Sequence, residues 1–240
     1  MQSDNGHPMS FLHTESDLQA GMAALVAQDP RLAPVLAAAG MPGLRRREGG
    51  YAGLCAIVCG QQLSTASAAA IRGRLFAAFD PFHHDAIRLA RADKLARLGL
   101  SRPKIKSIKA IAAAVAKGHI DLDAVARMEA DAAHQALTAL HGIGPWTADI
   151  YLLFCLGNAD AWPAGDLALQ ESSRIAFALK RRPDAKAMTK LAEPWRPWRG
   201  VAAHLLWAYY HAVKRREGVS LSARMGAMNS KRAKRAGNGR

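Results

Sequence analysis

From about residue 16 to residue 216 the apolar residues recur at three- and four-residue intervals, and no stretch alternates apolar and polar residues as a half-buried strand would. That periodicity confines the chain to an all-α fold, and glycines and prolines divide it into short helices. Ser16 is expected to cap a helix reaching about Gln28, with Leu18, Met22, Leu25 and Val26 on one face. A short helix follows from Pro30 to Gly40, then the loop MPGLRRREGG and an apolar run from Tyr51 to Gly60. Ser64 to Phe79 reads as a longer helix with Ala68, Ile71, Leu75 and Phe79 as its stripe. After DPFHHD come two short helices to Leu100, and then a helix capped by Ser101 with Ile105, Ile108, Ile111, Ala112 and Val115 inward. Another ends at Leu140, one runs from Pro145 to Leu156, one starts near Leu167, and after the break RRPD a last long one spans about Arg199 to Arg216. Valine, isoleucine and threonine are sparse beside alanine, which agrees with helix.

The 240 residues suffice for one large domain or two small lobes. Residues 1–10 and 220–240 read as disordered, the latter as a basic tail, which leaves 11–219 as the folded domain. The net charge of +14 points to a polyanionic partner. It is uneven, because residues 214–240 hold nine Lys or Arg against Glu217 and so carry +8 of it. No apolar run is long enough for a membrane span and no signal-peptide core opens the chain, so it reads as soluble and cytoplasmic. Cys55, Cys59 and Cys155 have no metal-ligand spacing with histidines and read as small buried hydrophobes.

Two features carry chemistry. His141-Gly142-Ile143-Gly144-Pro145-Trp146 joins two helices through a Gly-x-Gly turn, which needs glycine for backbone angles that other residues resist. The turn leaves uncapped N–H groups at the start of the next helix, where the dipole also favours an anion. A phosphate gripped by backbone amides is one reading; an ordinary helix–helix corner is the other. The leucine before it, Thr147-Ala148 after it and the basic body favour the phosphate. About twenty residues later Asp166 stands behind Pro163-Ala164-Gly165, ahead of an apolar helix. It suits an N-cap, and a cap and a working carboxylate are compatible roles. Asp160 and Glu171 are its only near acidic companions, which suits one carboxylate acting without a metal better than a metal cluster.

LHGIGPWTADIYLL (140–153) and WPAGDLALQ (162–170) resemble the helix-hairpin-helix glycosylase superfamily of base-excision repair, in particular its 3-methyladenine-type branch. IVCGQQLSTASAAAIRGRL (57–75), LGLSRPKIKSIKAIA (98–112) and PWRPWRGVAAHLLWAYY (194–210) agree, and the likeness covers about residues 20–212. The resemblance implies two helical lobes with the active site in the cleft between them and Asp166 as the catalytic aspartate. It places Gln62 as the wedge that fills the gap left by a flipped nucleotide, with Leu63 as the rival. Gly142, Gly144 and Thr147 would hold DNA. Trp146 stands where lyase relatives carry a lysine nucleophile, which implies hydrolysis alone. Trp146 and Trp207 would line the base pocket, or pack as core. WRPWR is either a contact between lobes or a phosphate clamp. The four-cysteine iron–sulfur loop and the extra N-terminal sheet domain of some relatives are absent. The expected protein is a monomer acting on double-stranded DNA with alkylated bases, without metal or cofactor.

Overall fold

Helices carry the fold in the computed structural model, which describes residues 11–216, and the one β pairing among the described residues is an isolated bridge from Phe11 to Asn158. The order is α1 (Glu15–Gln28), α2 (Ala33–Ala39), α3 (Gly50–Gly60), α4 (Thr65–Ala77), α5 (His84–Leu89), α6 (Ala92–Arg97), α7 (Arg102–Ala116), α8 (Leu122–Val125), α9 (Ala130–Thr138), α10 (Pro145–Ile150), α11 (Leu167–Ala176), α12 (Ala185–Ala192) and α13 (199–216). None is long and apolar enough to cross a membrane. The segments expected to lack structure, residues 1–10 and 220–240, lie outside the described residues.

Cap chemistry sets the boundaries. Thr14, not Ser16, caps α1: its hydroxyl accepts from the Asp17 amide while the Asp17 carboxylate accepts from the Thr14 amide at 2.8 Å. This reciprocal box satisfies two orphan donors at once. Asp184 caps α12 where the sequence suggested only a break. The expected inward residues of α4 and α7 are buried or half-buried, and Cys55, Cys59 and Cys155 are buried free thiols.

The helix expected from Pro145 to Leu156 is α-helical only to Ile150; Tyr151–Leu156 widens into π-helical turns. The widened end is held from outside. The Phe154 carbonyl accepts from the Arg47 amide at 2.8 Å, and that of Cys155 from the Arg46 guanidinium at 3.2 Å. Gly157 then turns left-handed at φ +77°, where a Cβ would overlap Arg46 and meet the Leu12 carbonyl at 2.7 Å.

Helices α3 and α10 form the middle. One lobe, α4–α9, packs against them from one side, and α1, α2 and α11–α13 gather on the other around Trp195. A partly buried ion network, with Arg199 inside and Asp131 at the surface, ties the lobes. Asp160 accepts from Arg196 and Arg199 at 2.8 Å each, and both arginines reach Asp131 of α9. The Trp195 indole donates to Asp29 at 2.8 Å; the Arg31 guanidinium and that indole hold the Asp29 carboxyl down at about 2 despite its burial. WRPWR is therefore a contact between lobes, since its two arginines are committed to carboxylates.

Candidate active site

Pro163-Ala164-Gly165 turns tightly, with the Asp166 amide donating to the Pro163 carbonyl and the Gln170 side chain closing on Ala164 at 3.0 Å. Asp166 therefore enters α11 as its N-cap. Its Oδ1 accepts from the Ala168 and Leu169 amides at 3.0 Å each. It also takes both tryptophans: Trp207 Nε1 donates to Oδ1 at 3.1 Å and Trp146 Nε1 to Oδ2 at 2.9 Å. Cap and exposed carboxylate are one group, and the structure brings the three expected residues into direct contact. Oδ1 carries three donors, Oδ2 one.

This carboxylate faces an open cleft of about 550 Å³ lined by the Gln61-Gln62 turn, the hairpin from Gly144 to Thr147, and Gly165 to Ala168. The cleft thus lies between the end of α3, the hairpin before α10 and the start of α11. Gln62 lies in the wall opposite Asp166 in a left-handed conformation, φ +56°, which a non-glycine residue adopts only when its surroundings impose it. Leu63, 40% exposed, turns to a smaller crevice of about 200 Å³ shared with Arg47, Arg72 and Trp146. The two wedge candidates therefore point into different cavities.

The hairpin glycines differ. Gly142 needs its lack of a side chain twice over: φ is +84°, and a Cβ would overlap the Ser107 hydroxyl. Gly144 has ordinary angles, φ −86° and ψ 171°, and open space where a Cβ would stand. The expectation that both glycines serve unusual backbone angles is thus corrected: at Gly144 nothing among the described residues requires glycine. No side chain caps the first turn of α10. Thr147 also departs from expectation. It is 3% exposed, and its hydroxyl accepts from the Gln61 amide at 2.9 Å, so the side chain is a strut between α3 and the hairpin rather than a free DNA ligand.

Behind Trp207, Phe154 stacks at 5.4 Å between centroids, and the Arg47 guanidinium lies over Phe154 at 5.4 Å. His204 meets Phe154 edge-on; burial pushes it down to about 4, and its Nε2 has no partner. Sequence reasoning missed this stack, since nothing in IYLLFCL marks Phe154 apart from its apolar neighbours. It also missed Gln61 and Asp149, although Asp149 is the one acid in the run WTADIYLLF and was visible as such. The acids near Asp166 in sequence are committed elsewhere, Asp160 as described and Glu171 to Arg174 at 2.8 Å. Among the described residues the group of three side chains able to share a metal is His83, His84 and Asp85, at the start of α5; it does not include Asp166.

Residues 55–197 match the family described as HhH-GPD superfamily base excision DNA repair protein, and the chain belongs to that family. Among solved structures it is similar to a DNA-3-methyladenine glycosidase from Bacillus halodurans, with TM-score 0.72 and 28% identity over 79% of this chain and 88% of that one. It is likewise similar to the Schizosaccharomyces pombe 3-methyladenine DNA glycosylase in complex with abasic DNA, with TM-score 0.70 and 28% identity over 78% and 95% of the two chains. The DNA-3-methyladenine glycosylase of Bacillus subtilis is 29% identical over 65% of this chain and 56% of its own length. A Mycobacterium tuberculosis protein called probable bifunctional transcriptional activator/DNA repair enzyme AlkA is 35% identical over 62% of this chain. The chain spans 31% of that relative's length.

Proposed function

We propose that this protein is a monofunctional DNA glycosylase that hydrolyses the N-glycosidic bond of alkylated purines in double-stranded DNA, working as a cytoplasmic monomer on the nucleoid. The observation that carries the reading is the single carboxylate at the cleft, Asp166, held by Trp146 of the cleft wall and by Trp207, whose own open side lines a separate crevice of about 300 Å³ with His204, beside an uncapped hairpin helix.

The target nucleotide leaves the stack to reach the cleft, and Gln62 fills its place. Backbone amides at Gly144 and the first turn of α10 take a phosphate, and open space at Gly144 admits its close approach. An N-alkylated purine is cationic, so it departs with the bond electrons as a neutral base and needs little help from an acid. The indole faces of Trp146 and Trp207 favour such a cation by about 0.5–2 kcal/mol. Asp166 stabilises the positive charge that develops on the sugar, and it orients the water that adds to the anomeric carbon and takes up its proton. Trp146 offers no amine for an imine. The Lys104 ammonium, at the start of α7, donates to the Cys59 carbonyl at 2.8 Å.

The test is incubation with methylated duplex DNA and identification of the released bases, with Asp166→Asn as control. Release of 3-methyladenine or 7-methylguanine by the wild type alone is expected. Tight duplex binding without release of any base by the wild type would make this a non-catalytic DNA-binding module.

A further inference from the structure

On the other side of the hairpin from Asp166 lies a second cavity of about 590 Å³, between α9, α10, the loop 160–165 and α12. It shares three wall residues with the cleft, Pro145, Trp146 and Gly165, so the Trp146 side chain is a partition between the two spaces. Trp162 and Leu152 add apolar wall. Asp149 lines this cavity and is 8% exposed, and among the described residues no group donates a hydrogen bond to it. His134 Nε2 lies 3.6 Å from its Oδ1.

The charged groups around Asp149 are His134 and Asp131 on α9, Asp160 in the loop, Lys186 on α12 and Arg199 on α13. Asp131 and Asp160 are paired with Arg199 and Arg196, so those charges are already balanced. Burial pushes the Asp149 carboxyl up to about 8 against the pull of Arg199, and burial holds His134 below its usual value. Burial therefore favours the protonated form of the Asp149 carboxyl and the uncharged form of the His134 imidazole. A carboxylic acid sets one donor next to one acceptor. A side-chain amide has the same arrangement, and amides pair bidentately with the N6/N7 edge of adenine. Lys186 and Arg199 oppose a cationic ligand, Asp131 and Asp160 an anionic one, and the tryptophan walls suit a flat ring.

We propose that this second cavity binds a free, uncharged adenine-type base through Asp149, and that it receives the released base as it passes Trp146 from the catalytic cleft. The source of the ligand rests on the glycosylase reading; the binding does not.

The measurement is calorimetric titration of the full chain with adenine and with 3-methyladenine. Saturable binding is expected. Asp149→Ala should weaken it at least about tenfold, and Asp149→Asn, which keeps a donor beside an acceptor, should stay within about threefold of wild type. Adenine carrying two methyl groups on its exocyclic nitrogen, and so no donor there, should bind at least about tenfold more weakly than adenine. Raising the pH from about 6.5 to about 9 should weaken binding to the wild type, as Asp149 ionises through about 8, and leave the Asn variant unmoved. No saturable binding to the wild type, or equal binding by Asp149→Ala, overturns the proposal; should that variant fail to fold, Asp149→Leu takes its place. A protein that binds adenine through Asp149 yet releases no base from methylated DNA would refute the glycosylase reading and keep this site.

Discussion

Replacing Asp166 by asparagine changes one atom, and the hydrogen-bond pattern dictates which. Oδ1 accepts from the Ala168 and Leu169 amides and from Trp207, so the amide oxygen must take that place. The new NH2 then stands at the Oδ2 position, 2.9 Å from the Trp146 indole nitrogen, donor against donor. Asparagine caps helices about as well as aspartate, so the cap is kept. What is lost is one charge-assisted hydrogen bond. Trp146 is 37% exposed and can turn its N–H to water, so the loss is limited to about 1–2 kcal/mol. In a chain of this size that lowers the melting temperature by roughly 2–8 °C. Trp146→Phe alone also breaks the bond, but in the double variant the clash disappears. The two changes should therefore be non-additive by about 1 kcal/mol in a double-mutant cycle. Catalysis behaves differently, because no second change restores the charge. Base release should fall at least about a hundredfold in both proteins carrying Asp166→Asn, the usual scale for deleting one preorganised electrostatic group. Thermal melts of the four proteins and single-turnover base release measure both effects. Base release by Asp166→Asn within tenfold of wild type would end the catalytic assignment, and strict additivity of the melts would deny the Trp146 contact.

The hairpin glycines should separate cleanly: Gly142→Ala destabilises by about 1–3 kcal/mol or more, whereas Gly144→Ala melts with the wild type and loses DNA affinity, as thermal melts and duplex titration will show. Arg199→Ala removes a guanidinium that is 6% exposed and leaves Asp160 paired with Arg196 alone, so chemical unfolding should read a loss of about 1.5–3 kcal/mol. The Asp149 carboxyl, raised to about 8 in the fold, favours folding most below its ordinary value and ceases to do so as pH rises through about 8. Asp149→Asn should therefore gain stability over the wild type between about pH 5 and pH 8, with the gap closing near pH 4 in melts across that range. Borohydride with damaged DNA should trap no covalent adduct of the wild type. Deleting residues 220–240, which include Arg224, Lys231, Arg232, Lys234, Arg235 and Arg240, should lower the salt dependence of non-specific DNA binding while base release at low salt persists.

How much of this could be read beforehand depends on where each residue's partners lie. The helix order, the stripes of α4 and α7, and Asp166 as a cap are local matters of period and end chemistry, and the sequence carries them. Thr14 caps α1 with Asp17 three positions on, while Ser16 with Gln19 offers a box of the same spacing, so the local pattern alone leaves both open. The π-widening after Ile150 is not local: its end is held by Arg46 and Arg47 from a loop about a hundred residues earlier. For the same reason Thr147 looked free, since its partner Gln61 belongs to another helix. Gly144 is the converse, a glycine with no reason inside the chain, so its meaning lies outside it.

The tie between Asp166 and two indoles has a practical side. The protein has five tryptophans, and two of them donate to the same carboxylate. A water, or an added cation that mimics the positively charged sugar, must compete with the Trp146 N–H for Oδ2. Emission from the unlabelled protein is therefore a readout of who occupies the acid, and a stopped-flow trace could time the arrival of a nucleotide in the cleft with no dye on the DNA.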